Sequence, residues 1–453
     1  MFNVINPATG KLIQRYATLA SEQTQQKIAY AQQGYLSWRE CSLEQRASML
    51  KRVAAQLRQD KTKLAQLMTD EMGKPVKEAG AEVDKAAWCC DHYAEHAATY
   101  LQDDVINSDA SQSYVHYQPI GALLGVLPWN APLWIAFRFL APALMAGNSC
   151  VMKHDPHVPG CAEAIEQVFR DAGAPEGLVV NLPIANEDVA DAIRHPHIQA
   201  VSFTGSAQAG GIVAATAAAE IKHAVLELGG SDPFIVLEDA DQDAAADIAV
   251  LSRIINAGQS CIAAKRILVE QSIYDEFVGR LKQRLEMLIV GDPNDPVTDV
   301  GPIAREDLRA NLHRQVMGSI AQGANCLLGG ELPEGDGYFY PVTLLTDAHA
   351  DMCAMQEEVF GPVMVVCPVR DTDEALQVAN ASEYGLGAGV WSCDSAKALA
   401  LAERLETGQV AINGIVKTDP RLPSGGIKKS GFGRELGEQG IKAFINAKQI
   451  WIK

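Results

Sequence analysis

The chain has 453 residues, a formal net charge of −18, and 48% hydrophobic against 21% charged residues. That is an ordinary globular composition with room for two or three domains of roughly 100–200 residues. The acidic balance argues against a general nucleic-acid scaffold, though not against a local pocket for an anionic substrate. Ten cysteines without a CxxC pair exclude a small disulfide framework. The start, MFNVINPATGK, lacks the basic-then-apolar order of a secretory signal, and no apolar run approaches about 18 residues. A soluble protein of the reducing cytoplasm is expected, with no membrane, nucleic-acid or metal requirement.

Asn6 to Gly10 is a turn-rich entry. Residues 21–36 and 43–72 carry helical periodicity, with Ser42 and Gln45 forming a capping box. Lys74-Pro75 interrupts the pattern before a further helix over 76–101. Residues 111–116 read as a short extended segment, and 120–127 as a stronger strand that ends at Pro128-Trp129-Asn130. A mostly buried helix follows over 132–145, then a strand over 149–153. Helix and strand go on alternating at 162–171, 179–182, 187–193 and 200–203, which predicts an α/β fold.

The next segments carry candidate chemistry, and each has a plainer reading beside it. Thr204-Gly205-Ser206 opens an alanine-rich helix running to 220; its free amides suit a pyrophosphate, although an ordinary helix cap has the same residues. Glu227, before Gly229-Gly230 at a strand end, is a possible base or an exposed strand-end carboxylate. Gly258-Gln259-Ser260-Cys261 lies between a helix over 243–255 and a strand over 267–269, and its thiol is either reactive or merely packed. Helices are expected at 272–288, 305–321 and 374–381, a turn at 291–296 and a surface loop at 329–337. Glu358 and Phe360 precede Gly361-Pro362 as either a ribose clamp or an acidic helix end with a core aromatic. Pro368 marks 363–369 as an edge or irregular strand, and 444–453 reads as a final strand suited to packing or subunit exchange.

Taken in order, Pro128-Trp129-Asn130, Lys153, Phe203-Thr204-Gly205-Ser206, Glu227-Leu228-Gly229-Gly230, Gly258-Gln259-Ser260-Cys261, Glu358-Val359-Phe360-Gly361-Pro362 and Gly425-Gly426-Ile427-Lys428-Lys429-Ser430-Gly431 span nearly the whole chain. This ordered set resembles the NAD(P)-dependent aldehyde dehydrogenase superfamily. The resemblance implies a Rossmann-like dinucleotide domain over 1–101 and 120–229 and an α/β catalytic domain over 230–427. It also implies a β oligomerisation arm from 102–119 and 428–453, building a homodimer or a tetramer of dimers.

By the same resemblance Cys261 is the nucleophile, Asn130 an oxyanion donor and Glu227 the base that activates water. Lys153 and Glu358 would bind ribose hydroxyls and Ser206 would face the pyrophosphate. Trp129, Leu228 and Phe360 would shape the cofactor path. Many members that favour NAD carry an acidic residue three positions after the ribose-binding lysine, where this chain has Pro156, so NADP is expected to be tolerated; the adjacent Asp155 keeps NAD in play. Lys153-His154, Ser231-Asp232-Pro233-Phe234, Ala263-Ala264-Lys265-Arg266 and Phe432-Gly433-Arg434-Glu435 are most similar to short bacterial succinate-semialdehyde dehydrogenases. Within that comparison Arg138 either reads a substrate carboxylate or makes a structural ion pair, and Trp134 is either a pocket wall or core packing. Alternatives to a four-carbon semialdehyde are glutarate semialdehyde, a broader set of aliphatic aldehydes, or an inactive scaffold with the same fold.

Overall fold

Strands that are buried on both faces read as unbroken apolar runs, and parallel pairing follows when helices cover each face. Ala122–Leu127 is such a run, with all six residues buried. It lies in the middle of a six-stranded sheet between Ser149–His154 and Ile198–Thr204, both parallel to it. Val179–Asn181 and His223–Glu227 extend the sheet on either side. Gly431–Phe432 closes one edge, antiparallel to Leu226 and Glu227.

A second sheet of seven strands has the order Asn325–Leu328, Thr343–Thr346, Val363–Val369, Ala264–Glu270, Asp232–Val236, Gly387–Trp391 and Gln409–Ile412. All its neighbours are parallel except the first pair. A three-stranded antiparallel ribbon joins Asp104–Val105, Gln112–Pro119 and Ile445–Ile452. The structure is a computed structural model that describes residues 1–453.

Helix starts follow the local chemistry. Ser42 caps Leu43–Gln59 by accepting from Gln45 N–H at 3.3 Å, while Gln45 Oε1 accepts from Ser42 N–H at 2.8 Å. Pro132 occupies the first turn of Pro132–Ala146, where a missing N–H costs nothing. Every residue of that helix is buried, because it packs between Val76–Tyr100 and the first sheet. No helix is long and apolar enough to cross a membrane.

Two expectations need correction. Val363–Val369 is an internal strand, not an edge. Thr343–Thr346 pairs with it only as far as Val365, so Pro368 lies where one flank is already unpaired and can be tolerated. Residues 428–444 do not join the arm. Ile427–Lys428 pairs with Tyr384–Gly385, Gly431–Phe432 pairs with the first sheet, and Gly437–Lys442 packs on the helices Val76–Tyr100 and Pro132–Ala146. Only Ile445–Ile452 pairs with Gln112–Pro119, through eight residues on each strand.

Candidate active site

The loop that carries Cys261 is built by backbone that L-residues avoid. Gln242–Ile254 ends in a short turn where Asn256 (φ 55°), Ala257 (φ 53°) and Gly258 (φ 73°) are all left-handed. Neighbours hold it there. Asn256 N–H donates to Glu78 Oε2 at 2.7 Å, Asn256 Nδ2 donates to the Asn130 carbonyl at 2.8 Å, and Arg253 Nη2 donates to the Gly258 carbonyl at 2.5 Å. Gln259 Oε1 accepts from Ala304 N–H at 2.9 Å. A Cβ on Gly258 would come within 2.2 Å of the Gly361 carbonyl oxygen, so only glycine fits. Behind the loop the fully buried Lys265 donates to the carbonyls of Ser260 (2.8 Å) and Cys261 (2.6 Å).

Cys261 opens onto a cavity of about 260 Å³, shared with Asn130, Trp134, Arg138, Ile255 and Thr418 among others. Burial pushes the thiol up to about 11, against the opposing pull of the Lys265 and Arg138 charges. Asn130 Nδ2 spends one hydrogen on the Gln259 carbonyl at 3.1 Å and keeps the other. The Cys261 N–H makes no hydrogen bond within the protein. Asn130 and Cys261, which both line this cavity, therefore each keep an N–H without a partner.

Glu227 ends its strand and is buried, but it does not line this cavity. Its Oε2 lies 4.0 Å from Arg138 Nη2 and its Oε1 has no partner. Burial and the Glu435 carboxylate push its carboxyl up, with Arg138 and Arg434 pulling back. Arg138 is engaged at one end: its Nη2 pairs with Glu435 Oε2 at 2.5 Å and lies 4.0 Å from Glu227 Oε2, so its charge faces two protein carboxylates, while its buried Nε has no hydrogen-bond partner. Trp134 donates from Nε1 to Thr418 Oγ1 at 2.9 Å and forms part of the cavity wall.

The expected cofactor residues collect at the carboxyl ends of the first sheet, the usual ligand crevice of parallel α/β sheets. Lys153, near the end of its strand, is buried with its ammonium on Asn186 Oδ1. Ser206 caps Ala207–Ala219 by accepting from Ala209 N–H at 3.3 Å, which leaves other first-turn amides for an anion. Thr204 Oγ1, one turn earlier, is buried without a partner. Leu228 packs against Gly210 of the same helix, where a Cβ would come within 2.5 Å of it.

Glu358 Oε1 accepts from Gly230 N–H at 3.0 Å and lies 3.4 Å from Lys265. Trp129 and Phe360 meet edge to face with centroids 5.8 Å apart. This set of a cation, a carboxylate, a capped helix start and two aromatics fits a dinucleotide. His157 donates to Asp155 Oδ1 from both the backbone (3.0 Å) and Nδ1 (2.6 Å), which leaves Oδ2 as the acceptor on that carboxylate.

Several functional residues escaped the sequence reading. Glu82 receives the first amides of Pro132–Ala146, from Leu133 (2.9 Å) and Trp134 (3.0 Å), and pairs with Lys74, which itself donates to the Asn130 carbonyl at 2.9 Å. Lys265 and Glu435 lie inside quoted motifs but had been given no role, and Lys85 and Thr418 lie in none.

The Cys261 loop and the crevice beside it lie in a chain whose residues 1–450 match the aldehyde dehydrogenase family model. The chain belongs to that family. It is 47% identical over 448 residues to a probable NADP(+) succinate-semialdehyde dehydrogenase of Synechocystis, covering 99% of both chains. It is 43% identical to the NAD(P)+ succinate semialdehyde dehydrogenase Sad of Escherichia coli, covering 99% of this chain and 97% of that one. Among solved structures, succinic semialdehyde dehydrogenase from Streptococcus pyogenes in complex with NADP+ superimposes with a TM-score of 0.97 at 36% identity, covering 100% of each chain.

Proposed function

We propose that this chain oxidises succinate semialdehyde, or a similarly short carboxylated aldehyde, to the free acid with NAD(P)+. The observation that carries the reading is that Cys261 lines a cavity together with Asn130, each with an unengaged N–H donor. The thiolate attacks the aldehyde carbon, and the π pair moves to oxygen, which the Asn130 amide and the Cys261 N–H stabilise as a thiohemiacetal forms. Bound NAD(P)+ supplies the hydride acceptor that leaves the carbon on sulfur as a thioester. Glu227 then takes a proton from water, the water oxygen attacks the thioester carbon, and Cys261 departs as thiolate with the acid released. Its raised pKa makes Glu227 a stronger base than an exposed carboxylate once ionised.

In this reading residues 1–101 and 120–229 bind the dinucleotide. Lys153 and Glu358 hold ribose hydroxyls, the Ser206-capped helix faces the pyrophosphate, and Trp129, Leu228 and Phe360 shape the path. Residues 230–427 carry the nucleophile, and the ribbon of Gln112–Pro119 with Ile445–Ile452 joins protomers in the cytoplasm. Pro156 offers no carboxylate against a 2′-phosphate, while the Asp155 carboxylate, held ionised by His157, stays close by, so both NADP+ and NAD+ should be turned over.

The test is a kinetic panel of succinate semialdehyde, glutarate semialdehyde and butanal with each cofactor, with and without coenzyme A. Reduced cofactor together with free succinate is expected. An acyl-CoA product would remove the hydrolytic half-reaction, and no turnover of any aldehyde by folded protein would leave a scaffold.

A further inference from the structure

Four cationic side chains line the cavity over Cys261: Lys74, Lys85, Arg138 and Lys417. Two are matched by carboxylates, Lys74 by Glu82 and Arg138 by Glu435. Lys417 is exposed to solvent. The Lys85 ammonium is half-buried and makes no ion pair; its single hydrogen bond goes to Thr418 Oγ1 at 2.9 Å, and it lies 4.2 Å from the centroid of the Trp134 ring. Thr418 is buried, and its oxygen accepts a second hydrogen bond from Trp134 Nε1, also at 2.9 Å.

A hydroxyl has two lone pairs and one proton. With both lone pairs taken, Thr418 can only donate, and no acceptor in the protein receives that proton. Two N–H bonds of Lys85 are also unreceived. Lys85 and Thr418 therefore bring three unreceived donors and a positive charge that makes no ion pair to the lining of this cavity. An alkyl chain end would leave these groups desolvated and unpaired, whereas a carboxylate would satisfy all of them.

We propose that Lys85, seated on Trp134 and held by Thr418, is the specificity-determining cation that binds the far carboxylate of the semialdehyde, the charge of Arg138 being already committed to Glu435 and Glu227. The inference rests on the substrate class proposed above. It adds a charge dependence, because burial and the nearby Arg138 charge bring the Lys85 ammonium down to about 8. Glu82 and Cys89 of its own helix and Asp419 of the facing loop act the other way. The cation is present below that value and lost as pH rises through it, so the KM for a carboxylated aldehyde should climb above about pH 8.

The test compares succinate semialdehyde with butanal, matched in chain length, in the wild type and in the Lys85→Met, Lys85→Arg and Arg138→Gln variants. Losing a charge-assisted contact should raise the ratio of the succinate semialdehyde KM to the butanal KM about tenfold or more in Lys85→Met. Butanal turnover reports that the variant has folded. Lys85→Arg should restore most of the ratio and move the alkaline rise in KM to higher pH. An unchanged ratio in Lys85→Met, or a ratio lost only in Arg138→Gln, would overturn the assignment. A wild type that does not distinguish the two aldehydes would overturn both this inference and the substrate reading, and that result is separable from the first because it appears before any mutation.

Discussion

Cys261 and Glu227 are displaced from ordinary ionisation in the same direction by the same cause, burial. Both ionised forms grow as pH rises, so kcat/KM for butanal, which does not involve the Lys85 charge, should increase from neutral to alkaline pH. In the free enzyme, alkylation of Cys261 by iodoacetamide should accelerate about tenfold per pH unit between 7 and 9, since only the thiolate reacts. A rate independent of pH there would mean that the thiol ionises well below 7. Arg138→Gln removes the cation that two buried carboxylates share, so it should lower kcat/KM for butanal and succinate semialdehyde alike, by roughly tenfold or more. Cys261, Asn130 and Glu227 could be singled out as candidates because each lies in a short motif. The pairing of Arg138 with Glu435 was not legible, because nothing local in the chain links a helix residue to a strand-end turn near the carboxyl terminus. Lys85 was invisible for a similar reason: a lysine in an amphipathic helix looks solvated until Trp134 and Thr418 close over it.

The Cys261 loop is an element whose geometry is paid for in strain. Gly258→Ala would place a methyl against the Gly361 carbonyl and keep a left-handed φ, so a loss of at least about 2 kcal/mol in urea unfolding is expected, with activity falling in parallel. Ala257→Gly relieves the same backbone strain but frees the unfolded chain, and these offset to within about 1 kcal/mol. Equal stability for both variants would show that the contact with Gly361 does not hold the loop. The glycine-rich turn was readable from Gly258 itself. The left-handed Asn256 and Ala257 were not, because they are imposed by Glu78, Asn130 and Arg253 from distant segments. Strand 363–369 failed for a related reason: Pro368 signals an edge locally, and only the length of the neighbouring strand shows why an interior position tolerates it.

At the scale of the whole molecule, the ribbon leaves a surface that a single chain does not cover. Ile445–Ile452 is the outer strand of its sheet, and Asp104–Val105 covers only two positions of Gln112–Pro119 on the far side. Val105 is 74% exposed, Trp451 46% and Ile452 43%. An exposed edge strand of this kind, ending in Trp451 and Ile452, is a template for pairing with another strand, and natural proteins usually block or cover it. The ribbon is also braced against the body: Lys442 donates to the Tyr117 hydroxyl at 3.0 Å, lies 4.3 Å from the Tyr117 ring centroid and sits 3.8 Å from Asp104. A braced edge loses little further freedom when a partner docks, which favours a second copy of this chain as the occupant. Replacing Trp451 and Ile452 together by Glu should therefore weaken self-association at least about tenfold, since it sets charge on the edge without touching either large sheet. Light scattering across a concentration series should show a wild-type mass of at least two chains and a variant that falls towards one. A wild type that is monomeric throughout, or a variant whose mass does not change, would mean that the exposed edge is not where protomers meet.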